Sequence, residues 1–313
     1  MSLPAYTTKL IKPTAVTDAA LTGCTVAEPD AGETVWDAAT AYTVGQEAIR
    51  PTLHKKYRRR VAGTTATAPE NDATNWLDIG ATNRWAQFDS KIGSRTTNTA
   101  SGGSITTVLV LGSLEGLALI DLRGSSVTAT LKQTPGGALA WTRTQDLDDT
   151  LVQSVYDWMY ADYVQRYSVI FTDLPGQFPS GELTVTVSGN ASGAAIGALV
   201  AGRVHTLGLT EYGAGSGLLN WGKVIDDGFG NREWSEGGYA SRTTLPIVMD
   251  ANDFNRVKRL LATVRSTPCV YVAGCMPEYD SLNCYGVYRD LYITIPHYGF
   301  VTCNLEIDGL NED

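Results

Sequence analysis

ITTVLVLGSLEGLALIDLRGSSVTATLK, residues 105–132, decides the fold. Three short apolar runs, 105–111, 117–122 and 127–132, follow one another at the regular spacing of successive β-strands. The same spacing continues outward. Strand-like runs recur at 139–142, 167–172, 183–188 and 195–201, with Pro135-Gly136-Gly137 and Pro179-Ser180-Gly181 supplying turn chemistry between them. Many short strands of even spacing predict a β-sandwich or jelly roll over 85–202. The stretch 146–163 fits this pattern least and is read as room for one helical turn.

Beyond residue 203 the character changes. Residues 251–265 carry Phe254, Val257, Leu260, Leu261 and Val264 at helical spacing, with Arg256, Lys258, Arg259 and Arg265 outward and Pro268 as the stop. Strand-like runs at 242–248, 269–273, 285–296 and 300–308 surround that helix, so 203–313 is expected to be an antiparallel sheet packed by one α-helix. On the N-terminal side, residues 1–28 are punctuated by Pro4 and Pro13 and carry little core pattern; they read as an arm or edge strand. Residues 29–84 hold Trp36, Tyr42, Tyr57 and Trp76 around a Gly/Thr/Ala/Pro-rich loop and read as a small aromatic-rich β module. The fold class expected is therefore mainly β.

Composition agrees, with 43% hydrophobic and 18% charged residues and 32 glycines, which favour strands and turns over charged helices. A net charge of −9 opposes general binding to nucleic acid. No window approaches the roughly 20 apolar residues of a membrane span, the longest small-apolar stretch being 194–201. The start MSLPAYTTKLIKP lacks the apolar run of a signal peptide, which leads to an expectation of synthesis and folding in a cytoplasm. Five cysteines, four of them at 269, 275, 284 and 303, form no CxxC pair and read as buried free thiols.

Chemistry-bearing motifs do not stand out. Three histidines lie in three different segments, and there is no GxSxG, HExxH, GxxxxGK[ST] or GxGxxG pattern. No cofactor and no metal site is expected. Asp146, Asp148, Asp149, Asp226 and Asp227 read as solvated loop acids, a bracing calcium ion being the alternative. Against this acidic background the run Lys55, Lys56, Arg58, Arg59 and Arg60 is segregated positive charge. It suits an anionic partner or, equally, an edge strand kept solvated by its charges.

Two resemblances extend the reading. Trp36-Asp37, Ala41-Tyr42, Val44-Gly45-Gln46, Lys56-Tyr57, Pro69-Glu70 and Asn75-Trp76 together resemble the small carbohydrate-binding modules of chitinases. That likeness implies glycan-binding candidates at Trp36, Tyr42, Tyr57 and Trp76; the alternative for a module this small is that the rings are its core. The departure is the basic strand, which points to an anionic glycolipid or subunit face. Trp221, the stretch 227–231, residues 242–248, the helix 255–263, residues 268–271, Tyr288-Arg289-Asp290 and 305–310 resemble a family of bacteriophage tail-tip and baseplate proteins, and the middle sandwich resembles galactose-binding-like jelly rolls.

The tail-protein resemblance implies a non-enzymatic structural component of the virion tail, made in the host cytoplasm. Such a component would assemble as a homo-oligomer of three or six copies beside tail tube, hub and fibres, near a host-surface glycan or glycolipid. A secreted carbohydrate-binding protein is the alternative, and a glycan hydrolase with two convergent carboxylates is the third.

Overall fold

The computed structural model describes residues 7–150, 152–162, 164–226, 232–274 and 277–312. Along the chain lie β1 (Thr7–Pro13), β2 (Leu21–Cys24), β3 (Glu47–Arg50), β4 (Lys55–Arg59), β5 (Trp76–Ala81), β6 (Thr96–Asn98) and β7 (Ile105–Leu109). They are followed by β8 (Gly116–Arg123), β9 (Ser126–Lys132), β10 (Leu139–Asp146), α1 (Val155–Tyr160), β11 (Ser168–Phe171), β12 (Glu182–Ser188) and β13 (Ala194–Thr210). The remainder is β14 (Gly215–Asn220), β15 (Lys223–Asp226), β16 (Arg232–Ser235), β17 (Tyr239–Asp250), α2 (Phe254–Thr263), β18 (Cys269–Val272), β19 (Cys284–His297) and β20 (Phe300–Glu312). The chain is mainly β, as its composition and spacing predict.

Alternation along the strands builds the sandwich. In β9, Val127, Ala129 and Leu131 are buried while the Ser, Thr and Lys residues between them are half-buried, and β12 repeats this with Leu183, Val185 and Val187. These residues belong to a five-stranded sheet in the order β10-β9-β12-β7-β2. Leu117, Leu119 and Leu122 of β8, Ile196 and Leu199 of β13 and Val169 of β11 face them across a shared core. Every strand expected between residues 105 and 201 is present, and the last runs on to Thr210.

That extension creates the second core. Strand β13 pairs with β1, and pairing then passes through β18, β19, β20 and β17 and returns to β13 at Leu209↔Val248 and Thr210↔Ile247. The ring of antiparallel pairings is closed, in the manner of a small barrel. In register across β19, β20 and β17, Leu291, Leu305 and Leu245 form one inward row, and Ile293, Cys303 and Ile247 the next. Helix α2 adds Val257, Leu261 and Val264, and Tyr288 donates from its hydroxyl to the Leu261 carbonyl at 3.1 Å. Its buried face and its outward Arg256, Lys258 and Arg259 follow the predicted helical period.

The structure corrects the arm reading of residues 1–28. Strand β1 lies between β13 and β18, with Leu10 and Ile11 both fully buried. Leu10 joins the barrel core and Ile11 a third cluster with Ala118, Ala198, Val200 and Val270. At Gly202 the two strands pass so closely that a Cβ would lie 1.9 Å from the Lys12 carbonyl oxygen, so only glycine fits. Strand β2 pairs with β7, which makes the small three-stranded sheet β3-β4-β5 an insertion between two strands of the sandwich rather than a unit that follows an arm. A division at residue 202 likewise falls inside β13, which both larger cores share.

Candidate interaction surface

The aromatic residues expected to meet a glycan lie inside the inserted sheet. Tyr42, Tyr57 and Trp76 are buried, and together with Ala48 they are its core. Trp76 meets the edge of Tyr42 at 5.0 Å, and the Arg59 guanidinium covers Trp76 at 4.9 Å. The Tyr42 hydroxyl accepts from the Asp37 amide at 2.8 Å, and burial raises the Tyr57 phenol above its ordinary range. Trp36 packs against this cluster half-buried, with Arg50 over its ring at 5.1 Å. A sheet of three short strands has little other apolar mass, so these three rings turn inward and offer a sugar no coplanar outer face.

The basic run is not an open positive patch. Lys55 pairs with Asp78, Lys56 and Arg58 both pair with Glu47 at 2.8 Å, and Arg50 pairs with Glu70 at 2.9 Å. Those two cations hold the Glu47 carboxyl below its usual range, and Asp78 holds Lys55 above its own. Arg59 is buried and donates to the Gly63 carbonyl and to the Thr65 hydroxyl, each at 3.2 Å. Arg60 is exposed and reaches the Ala73 carbonyl at 3.5 Å. The charges therefore tie three strands together, and Arg60 alone of the five points to solvent without a carboxylate among the described residues.

His54 docks this inserted unit on the sandwich. Its ring stacks on Trp85 at 4.0 Å, with Nδ1 2.9 Å from Glu28 Oε2 and Nε2 2.7 Å from Asp18 Oδ1. Glu28 is almost buried and also accepts from Trp85 Nε1 at 2.9 Å and from the Thr82 hydroxyl at 2.7 Å. The acids weighed as a calcium site are spread apart in their bonding. Asp149 pairs with Arg166, Asp226 with Arg232, and hydrogen bonds from Thr150 lower the exposed Asp148 carboxyl. Asp227 and Cys275 lie outside the described residues. Among the described residues no group of three or more His, Cys, Asp or Glu converges, and no helix is long and apolar enough to cross a membrane.

Exposed apolar side chains gather on α1 and its flanks, where Val155, Tyr156, Met159 and Tyr160 stand in solvent, and at the two ends of the barrel, a feature the strand pattern alone conceals. At one end, the turn between β19 and β20 holds out Ile295 and Tyr298, the latter fully exposed. Beside it a cleft of about 460 Å³ opens where β13 leaves β1 for β17, lined by Leu209, Val248, Met249 and Phe300 with Asp253 and Arg256 at its margin. At the other end, β14 and the β15-β16 hairpin expose Leu218, Trp221, Ile225 and Trp234. Strand β17 joins the two ends: its Asp250 pairs with Phe300 and its Tyr239 with Asn220. Twelve residues of extended chain separate them by roughly 35–40 Å. Apolar groups of this size held out on hairpins make the two barrel ends candidate contact surfaces. The signal in the sequence was aromatic residues on runs flanked by glycine, which cores and contacts share.

Comparison with known proteins adds little. No protein-family model and no curated protein matches the chain. Among solved structures it is similar to a variant of chitosan-binding module 1 from a chitosanase/glucanase of Paenibacillus sp. IK-5, with a TM-score of 0.26 and 14% identity over 38% of this chain and 82% of that one.

Proposed function

We propose that this chain is a non-enzymatic assembly subunit that joins copies of itself end to end, as a structural component of a bacteriophage tail tip or baseplate. The observation that carries the self-association is the pair of unlike apolar surfaces at opposite ends of one barrel, Tyr298 with its cleft and Trp234 with its hairpin. Unlike patches on opposite ends make head-to-tail contacts, which close into rings when the rotation between neighbours allows. Three or six copies would suit a tail tip, and the virion assignment itself rests on the resemblance of 242–248, 255–263 and 305–310 to tail-tip proteins. Neighbours such as tail tube, hub and fibres follow from that resemblance.

Native mass measurement tests the assembly. The chain of 33.6 kDa is expected to form a closed multiple of its own mass, and Tyr298→Ser or Trp234→Ser is expected to release single chains. A wild-type chain that stays single at tens of micromolar sinks the self-association. Mass spectrometry of purified phage particles tests the virion role, which fails if the chain is missing from them.

A further inference from the structure

A second cleft, of about 440 Å³, opens on the flank of the sandwich between the end strands of its two sheets, β10 and β11. Arg143, Thr144 and Gln145 line it from β10, residues 168–171 from β11 with Thr172 and Asp173 just past it, and Asp280 and Asn283 from beyond the barrel strand β18. Arg143 reaches across it, with Nε and Nη2 donating to Asp173 Oδ2 at 3.3 and 2.9 Å, and Trp141 Nε1 donates to the same oxygen at 3.2 Å. Phe171 supplies an apolar surface, its ring braced edge-on by Trp141 at 5.5 Å.

We propose that this cleft binds a neutral sugar of one or two rings. Its charges balance. Arg143 and Arg166 line it and Lys9 donates to Thr172 at its wall, while Asp173 and Asp280 line it and Asp149 pairs with Arg166 at 2.6 Å. Three cations thus stand against three carboxylates, so neither an anion nor a cation is drawn in. Each guanidinium keeps N–H groups beyond those its carboxylate takes, and each carboxylate keeps lone pairs. A sugar hydroxyl, donor and acceptor at once, matches such mixed pairs, with Gln145 and Asn283 as further partners. The Phe171 surface suits the apolar face of a pyranose ring. An extended peptide fits less well. To pair with the open edge of β11 it would run through the Arg143–Asp173 bridge.

Arg143 and Asp173 are both exposed by about half, and their replacement leaves the packed core untouched. The test uses the full chain on an array of neutral, amino and acidic oligosaccharides, with affinities for the bound members measured by calorimetry. Retention of neutral members is expected, weakened about tenfold or more by Arg143→Gln and by Asp173→Asn, at unchanged melting temperature. Retention of only acidic or only amino sugars, of none, or of neutral sugars with undiminished affinity in both variants overturns the proposal. So does capture of an extended peptide in place of any glycan. If a variant melts early, Gln145→Leu, which removes one amide partner from the cleft, gives the same reading on affinity.

Discussion

The inserted sheet and the barrel use aromatic residues in opposite ways. In the sheet, Tyr42, Tyr57 and Trp76 turn inward and every strand is cross-tied by ion pairs; on the barrel, Tyr298 and Trp234 stand in solvent while mainly aliphatic rows, with Tyr271, fill the interior. The difference is one of available apolar mass. The barrel closes its core with Leu245, Leu291, Leu305 and Ile307 and can leave rings outside, whereas the sheet's own cluster is four side chains, three of them aromatic. An aromatic-rich segment is therefore weak evidence of binding when it is small, and stronger evidence when a neighbouring core is already complete.

The sharpest way to break this contrast is Trp76→Ala. Loss of a fully buried ring from so small a core is expected to cost about 3–5 kcal/mol and to melt the inserted sheet, read by tryptophan fluorescence and by proteolysis within 29–84. Retained folding would show that the rings are not its core.

The second prediction sets the regions at opposite ends of the pH scale. Burial raises the Cys303 thiol to about 11 and the Cys269 thiol to about 12, so both stay protonated in the folded barrel when the unfolded chain has begun to lose these protons. The stability they confer is complete below pH 9 and falls as pH rises from there towards 12. Glu47 is displaced downward, so its contribution is present above its unfolded value and is lost as pH falls through the folded one. Denaturant melts across pH, with near-ultraviolet dichroism following the barrel and Trp76 fluorescence the sheet, should show the barrel weakening in base and the sheet in acid. A barrel equally stable at pH 8 and 11 would count against the buried thiols.

A smaller effect is expected from Glu47→Gln. Glu47 serves Lys56 and Arg58 but is one-third exposed, so its loss should cost no more than about 1 kcal/mol. A larger loss would mean that the ion pairs, and not the rings, hold the sheet. Smallest of all in stability is Trp234→Ser, expected within about 0.5 kcal/mol of wild type in unfolding while self-association is lost. A marked destabilisation would place Trp234 in a core after all.

Much of this fold was legible before the structure. Residues 105–109, 126–132 and 183–188 announce themselves because one side of each strand faces a core, and α2 because Val257, Leu261 and Val264 keep the helical period. Strand β1 was misread because its two core residues, Leu10 and Ile11, are adjacent and serve opposite cores, which erases the alternation of a half-buried strand. The basic run looked unpaired because Glu47 and Asp78 lie 11 and 23 residues from their partners and meet them only through the register of β3, β4 and β5. Arg143 and Asp173 were missed for a similar reason: 30 residues apart, one on β10 and the other just past β11 of the facing sheet, they become neighbours only when the sandwich closes.

The placement of β1 has a consequence in time. Its partners are residues 202–209 and 270–272, so the first strand to be made is joined on one side after some two hundred residues and on the other nearly at the end of synthesis. Neither larger core can be sealed while the chain is still short. Closure over such separations is slow, and Leu10 and Ile11 wait uncovered through most of translation, the interval in which a nascent chain is most open to chaperones and to its neighbours on the same message.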